Sequence, residues 1–126
     1  MHTTLDIFKT ASAMASHAGA RQAVVARNIA NADTPGFRAQ DIAPFEEAMQ
    51  NTPIEMRKTR PGHVSGGNTS FAARITTTES EASPNGNTVA LEDELLKSVS
   101  ISRDHDKALS IYRHAMTVLR TSLGKI

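Results

Sequence analysis

Histidines beside carboxylates are the residues of this sequence that could carry out acid–base or metal chemistry. No two histidines are three or four residues apart, and no cysteine assists them; they are His2, His17, His63, His105 and His114. Because zinc ligands on a helix recur at such spacings, no metal site is predicted. His105 lies between Asp104 and Asp106, but adjacent residues on a helix point in different directions. We therefore predict no catalytic, metal-binding or cofactor-binding residue.

Two acidic runs, Glu46-Glu47 and residues 92–94, could act as acid–base pairs. Both stand where a helix is predicted to begin, and carboxylates there complement the helix dipole. Ser65-Gly66-Gly67 is too short to cradle a phosphate. The 14 basic and 13 acidic residues leave a net charge of +1, and no basic stripe is interleaved with aromatic side chains. A nucleic-acid partner is thus not predicted.

The composition indicates helices that bury themselves against neighbours more than an independent globule. The chain has no Trp, one Tyr and four Phe in 126 residues, and alanine-rich helices gain little buried area each. No apolar run approaches the ~20 residues that a membrane span needs. The N-terminus also lacks the basic and unbroken apolar regions of a cleaved secretory signal.

We predict one mainly α domain whose long N- and C-terminal helices pack as a coiled-coil hairpin or tube. A loop-rich middle segment contains at most a small β element. The segments are residues 1–33 (N-terminal helix), 34–50 (turn and short helix), 51–87 (extended, loop-rich) and 88–126 (C-terminal helix).

The N-terminal helix carries apolar residues on two sides. One stripe recurs at spacings of three, four or seven and is interrupted by Arg21; its members are Ile7, Ala11, Met14, Ala18 and Val25. A second side holds Leu5, Phe8, Ala15, Ala26 and Ile29. Two apolar sides are typical of a helix with more than one partner.

The helix is predicted to stop at Thr34-Pro35-Gly36-Phe37. Proline disfavours helix in the residue before it, and glycine suits the third position of a type II turn. The amides of Asn28 and Asn31 could reach the unpaired carbonyls at the helix end. Asp41 to Gln50 then favours a short helix whose Phe45 and Met49 dock on the long one.

Alternation of Phe71, Ala73, Ile75 and Thr77 gives a weak strand signal in the middle segment, and Asn85-Gly86 predicts a tight turn. Asn87 or Thr88 is the expected N-cap of the C-terminal helix, and Asp93 and Lys97 are expected to pair. Farther on, apolar residues alternate at three and four, the spacing of a coiled-coil seam; this seam is Leu109, Tyr112, Met116, Leu119 and Leu123.

Two blocks of the sequence resemble the bacterial flagellar basal-body rod proteins. The first is the helix end with its turn, of which the matching positions are Asn28, Ile29, Ala30, Asn31, Thr34, Pro35, Gly36 and Phe37. The second is similar to an Asp-Gly-Asn-x-Val-x-x-Glu block of proximal rod proteins, with Asn85 in place of Asp; it matches at Gly86, Asn87, Val89 and Glu92. Downstream the pattern departs, with Ile101 and His105 where that family commonly has Asn and Tyr.

The resemblance implies a non-enzymatic structural subunit of the proximal rod, without cofactors. Its terminal helices would pack helically with further copies and other rod subunits, and the motif and seam residues would make those contacts. Other implied partners are the inner-membrane ring or adaptor of the basal body and the flagellar type III export apparatus. The chain would be exported without a cleaved signal and lie in the rod, in the periplasmic space.

Three alternatives remain open at the level of sequence. The chain could be a different proximal rod subunit, a soluble helical-hairpin protein that binds a partner, or a cell-wall hydrolase. The hydrolase would need a protected acid, and the sequence does not show one.

Overall fold

Two long helices dominate the structure. The computed structural model describes residues 2–50 and 73–124. Helix α1 spans His2–Ala30 and helix α3 spans Leu91–Ser122. Between them lie strand β1 (Gln40–Ile42), helix α2 (Phe45–Gln50) and strand β2 (Ile75–Thr77). At 1.5 Å per residue, α1 is about 44 Å long and α3 about 48 Å.

Helices α1 and α3 pack against each other in antiparallel orientation. The Phe8 ring near the start of α1 meets the Tyr112 ring toward the end of α3, with centroids 5.0 Å apart. At the other end, Asn28 reaches Glu94. The predicted fold is confirmed: it is mainly α, its terminal helices pack together, and its middle is loop-rich with one small sheet.

The contact between the helices is built largely from small side chains. Ala11, Ala18 and Val25 recur every seven residues on α1 and are buried. On α3 the buried apolar side chains are Ile101, Ala108 and Ala115, again seven apart. Such a seam is narrow, and each alanine contributes little apolar area. The apolar centre is accordingly small, with Ala18, Val25 and Ile101 in mutual contact and Ile29 packed against them.

The predicted stripe of α1 is buried only in part. Ala11, Ala18 and Val25 are in the core, whereas Ile7 is 42% exposed. Arg21, which interrupts the stripe, faces carboxylates: its two terminal nitrogens lie 3.9 Å from Asp41 and 3.8 Å from Asp104. The interruption is therefore a place where charged groups join the elements.

The short helix begins later than predicted. Residues 40–42 form β1, and α2 starts at Phe45, directly after Pro44. Proline disfavours helix in the residue before it, which keeps the preceding segment extended. Phe45 docks on α1 as predicted, with its ring centroid 5.5 Å from that of His17. Met49, in contrast, is 45% exposed.

Strand β2 covers only part of the predicted strand: Ala73 lies outside it, and its three residues are all exposed rather than alternately buried. It pairs antiparallel with β1, and the paired residues are Gln40 with Thr77, Asp41 with Thr76 and Ile42 with Ile75. Residues 51–72, which include Phe71 and most of the predicted extended segment, lie outside the described residues.

The start of α3 differs from the prediction. The helix begins at Leu91, and its N-cap is Ala90, which makes no capping hydrogen bond through a side chain. Lys97 pairs with Glu94, at 3.1 Å, and not with Asp93 as predicted. The expected caps, Asn87 and Thr88, are buried and serve another purpose.

Candidate functional site

The end of α1, the turn after it and the loop before α3 meet in one hydrogen-bonded cluster. We call this cluster the polar joint; it comprises residues 28–40 and 85–94. Its buried side chains are polar except for Ala39: Asn28, Asn87, Thr88 and Glu94 are each less than a tenth exposed. Buried polar groups are stable only when their hydrogen bonds are made, so each bond here constrains the geometry.

Asn28 is completely buried and joins three elements. Its amide nitrogen donates to the Gln40 carbonyl at 2.6 Å and to Glu94 Oε2 at 3.0 Å. Its Oδ1 accepts from the Gln40 backbone nitrogen at 3.1 Å. The predicted role of Asn28, binding carbonyls at the end of its own helix, is therefore wrong. The side chain instead ties α1 to β1 and to α3.

Asn87 binds the turn that follows the C-terminal end of α1. Its amide nitrogen donates to the carbonyls of Asn31, Ala32 and Thr34, all at 2.8–2.9 Å. All three carbonyls belong to the turn after α1, and those of Asn31 and Thr34 also accept from backbone nitrogens within that turn. Asn87 Oδ1 accepts from the Val89 nitrogen at 2.7 Å, which shapes the approach to α3. This replaces the predicted N-cap role, because Oδ1, the atom that would cap α3, accepts from the nitrogen of Val89, which precedes the helix.

The turn after α1 has the predicted form. The Phe37 nitrogen donates to the Thr34 carbonyl at 3.2 Å, and Gly36 has φ +73°. Asn31, unlike Asn28, does reach back as predicted and donates to the Arg27 carbonyl at 2.8 Å. Thr34 Oγ1 in turn donates to Asn31 Oδ1 at 3.2 Å.

The second predicted turn touches the first. Gly86 has φ +83°, and its nitrogen donates to the Ser83 carbonyl at 2.8 Å. The Gly36 nitrogen donates to the Asn85 carbonyl at 3.0 Å. A Cβ on Gly86 would lie 3.4 Å from the Gly36 Cα. Positive φ strains any residue with a Cβ, so both glycines suit these close loops.

Thr88 joins the same loops from the inside. Its nitrogen donates to the Phe37 carbonyl at 3.0 Å, and its Oγ1 accepts from the Ala39 nitrogen at 2.8 Å. The chain after the first turn is thereby bonded to the chain before α3. Sequence analysis missed this role, because a threonine ahead of a helix is usually read as a cap.

A line of charges runs from the joint along the helices. Lys97 Nζ lies 3.1 Å from Glu94 Oε1 and 3.7 Å from Asp41 Oδ2. Asp41 also faces Arg21, which reaches Asp104. The buried Glu94 carboxylate therefore has a charged partner on one oxygen and the Asn28 amide on the other, as a buried charge requires.

The remaining motif residues lie around the joint rather than in its buried centre. Ile29 packs on the apolar core, and Phe37 and Val89 are half-buried. The exposed ones are Ala30, Thr34, Pro35, Gly36, Gly86 and Glu92. Glu94 was missed as a buried residue because it stands in an acidic run at a helix start. Its seven-residue spacing to Ile101, Ala108 and Ala115 is the signal that would have found it.

The predicted seam of α3 lies beside the buried line. Leu109 and Met116 are half-buried, each one residue after a buried alanine, and Leu119 is half-buried too. Tyr112 is 42% exposed and Leu123 is 67% exposed. The seam is thus only partly covered by α1 of the same chain.

Other large apolar side chains are exposed on both long helices. Leu91, Leu95 and Val99 are each about half exposed and stand four residues apart, which places them on one side of α3. Further exposed apolar side chains on the helices are Leu5, Ile7, Leu96 and Val118.

The side chains considered for chemistry do not assemble into a reaction centre. His105, Glu46, Glu47, Glu92 and Asp93 are all exposed. Within residues 2–50 and 73–124, no group of three or more His, Cys, Asp or Glu could hold a metal ion. In the same residues, no helix is long and apolar enough to cross a membrane.

Comparison with known proteins identifies the same segment. A model of the family described as flagella basal body rod protein matches residues 10–38, which include the end of α1 and the turn. The chain is 37% identical over 123 residues to the flagellar basal body rod protein FlgB of Agrobacterium fabrum, with 91% of this chain and 92% of that protein covered. The chain belongs to the flagellar basal-body rod protein family.

Proposed function

We propose that this chain is a structural subunit of the bacterial flagellar basal-body rod, in its proximal part, and assembles helically through its two long helices. The observation that carries this proposal is the apolar surface of α3 that its own chain does not cover. Leu91, Leu95 and Val99 form a ridge that α1 leaves about half exposed. Large apolar patches on a protein surface are typical of sites that bind another protein.

The seam residues supply a second contact of the same kind. Leu109, Met116 and Leu119 sit at the edge of the interface with α1, and Tyr112 and Leu123 extend beyond it. A helix from another copy could lie along this edge and complete their burial. Contacts made by two different faces, with no closure into a ring, generate a helical filament.

The joint has a distinct role in this proposal. Asn28 and Asn87 hold the loops from inside, while Thr34, Pro35 and Gly36 are displayed at the surface. A turn fixed in this way is suited to contact a neighbouring subunit, because little conformational entropy remains to be lost on binding. We assign the buried asparagines to shaping the turn and the exposed residues to the contact.

The remaining assignments follow from family membership. We propose no enzymatic activity and no cofactor. Partners are further copies, other rod subunits, the inner-membrane ring or adaptor and the flagellar type III export apparatus. The chain would leave the cytoplasm without cleavage of a signal and reside in the rod, within the periplasmic space.

Replacement of Leu123 by Asp tests the assembly surface. Leu123 is 67% exposed, so the single chain should keep its fold, whereas a charge buried between subunits is strongly unfavourable. The matched control is Ser122→Asp, which adds the same charge at an adjacent exposed position. Basal bodies purified from cells that make only one variant should contain the control chain and lack Leu123→Asp. Equal incorporation of both would place Leu123 outside the interface.

The buried hydrogen bonds between α1 and α3 favour one other function, a soluble helical hairpin that binds a partner. Such a protein would be a stable monomer or dimer and would be absent from basal bodies altogether. A chain found in basal bodies, but at a position distal to the inner-membrane ring, would instead indicate a different rod subunit.

A further inference from the structure

His17 is buried where α2 rests on α1. Its side chain is among the least exposed in the chain, with 5% of the residue accessible. The imidazole meets the Phe45 ring edge-on, at 5.5 Å and 68°. It also makes a hydrogen bond with the backbone of Ala43. This one side chain therefore contacts both the segment that leads into α2 and the first residue of α2.

His17 also lines a small cavity. Nε2 is buried and has no hydrogen-bond partner in the part of the chain that the structure describes. The cavity has a volume of about 190 Å³, and α1, α2 and α3 all contribute to its wall. Its charged lining residues are Arg21, Glu46, Asp104 and Lys107. A neutral ring is compatible with this arrangement, since an unpartnered lone pair costs less than an unpartnered buried charge.

The surroundings oppose protonation. Burial lowers the pKa of His17, and the neighbouring Arg21 guanidinium lowers it further; the Ala43 hydrogen bond and the Asp104 carboxylate act in the opposite direction. Lys107 adds a positive charge from α3 and Glu46 a negative charge from α2. Protonated His17 would thus be an ill-compensated charge under α2, and exposure to water would relieve it.

We propose that His17 is a pH-operated latch: its neutral imidazole holds α2 on the helix pair, and its protonation releases residues 43–50. The contacts given up are the edge-on packing with Phe45 and the Ala43 hydrogen bond. The antiparallel pair is kept, because the joint and the buried alanine seam do not involve this ring. The latch goes beyond the proposed rod function and does not depend on it.

The direction of the effect follows from linkage. Released His17 binds its proton with the ordinary pKa of about 6.5, and docked His17 with a lower one. The docked state is fully favoured above pH ~6.5 and loses stability as the pH falls below it, until the lower pKa is passed. Within that window, each unit by which the pH falls raises the ratio of released to docked chains by up to about tenfold.

Hydrogen exchange of the α2 amides measures this ratio in the full-length chain. After correction for intrinsic exchange, opening of residues 45–50 should increase between about pH 7 and about pH 5.5, by up to about tenfold. Residues 18–28 should not respond. His17→Phe keeps an aromatic ring beside Phe45 but cannot titrate, so its α2 should open equally at both pH values. His114→Phe, at an exposed position on α3, should respond like the wild type.

Two results would overturn the proposal. One is an α2 whose opening changes with pH in His17→Phe as it does in the wild type, which would assign the response to Glu46 or Asp104. The other comes from an NMR titration of the wild-type imidazole, which needs no folded variant. A His17 ring that titrates at or above its ordinary pKa would show that docking does not resist the proton.

Discussion

The polar joint and the outer surface of α3 follow opposite rules of burial. In the joint, two asparagines and a threonine are less than a tenth exposed and bond backbone groups of other segments, and the equally buried Glu94 carboxylate accepts from the Asn28 amide. On α3, leucines and a valine stand half or more in solvent. The joint therefore buries polar side chains, whereas α3 exposes apolar ones.

This difference separates contacts within the chain from contacts with others. Hydrogen bonds have direction, so the Asn28 and Asn87 bonds fix where α1 ends relative to the start of α3. Apolar surfaces lack that direction but stabilise association strongly when large areas are covered. Because these hydrogen bonds fix α1 relative to α3, the exposed apolar residues can contact neighbouring subunits without a rearrangement of the two helices.

The largest effect is expected from Asn28→Leu. Leucine has a similar size but leaves the Gln40 peptide groups and the buried Glu94 carboxylate without the amide. Unsatisfied buried groups of this kind should lower the free energy of unfolding by about 3 kcal/mol. Chemical denaturation followed by circular dichroism measures the loss.

A double-mutant cycle with Glu94→Leu sharpens this prediction. The double variant removes the carboxylate that the single variant strands, so it should be more stable than Asn28→Leu alone. If Asn28→Leu lost no more stability than an exposed substitution such as Glu92→Gln, the joint would not be what fixes the helices.

A smaller effect is expected from Asn87→Ala, and it should differ from that of Asn31→Ala. Asn87 is buried and its amide donates to three carbonyls of the turn after α1, so its loss should cost about 2 kcal/mol. Asn31 makes an exposed bond to its own helix, and its loss should cost only about 0.5 kcal/mol. The two variants are controls for each other in thermal and chemical unfolding. Equal losses of stability would contradict the role assigned to Asn87 in holding the turn.

Asn28 and Asn87 also show how much of the structure can be predicted from the sequence. The turn after α1, the long helices and the strand at Ile75 follow from local rules, and the structure has them all. The bonds of Asn28, Asn87 and Thr88 are made across 12 to 66 positions of the chain. A polar residue near a helix end is locally a cap, and only the fold reveals that another element uses it.

On α3 the line that is buried within the chain runs one residue before Leu109 and Met116 of the predicted seam. The prediction assigns Leu109 and Met116 to the seam because they are large, yet Ala108 and Ala115 are the buried residues. Hydrophobic periodicity weighs side-chain size, whereas a close helix pair selects small residues at its centre and places larger ones at the edge. The same reasoning explains why Glu94 is buried. It lies seven residues before Ile101, on the buried line of α3, and its hydrogen bonds with Asn28 and Lys97 offset the cost of burying its charge.

Only a small effect on the single chain is expected from Leu95→Ser combined with Leu96→Ser. Both side chains are more than half exposed, at 53% and 71%, so the free energy of unfolding should change by no more than about 0.5 kcal/mol per substitution. Denaturation of the dilute chain measures this, and a loss as large as that of Asn87→Ala would show that the ridge is covered within the chain. Sedimentation at high concentration, in contrast, should show weaker self-association than for the wild type, because the substitutions remove apolar area that is left exposed in the described part of the chain. An unchanged stability together with weakened association would assign the ridge to contacts between subunits.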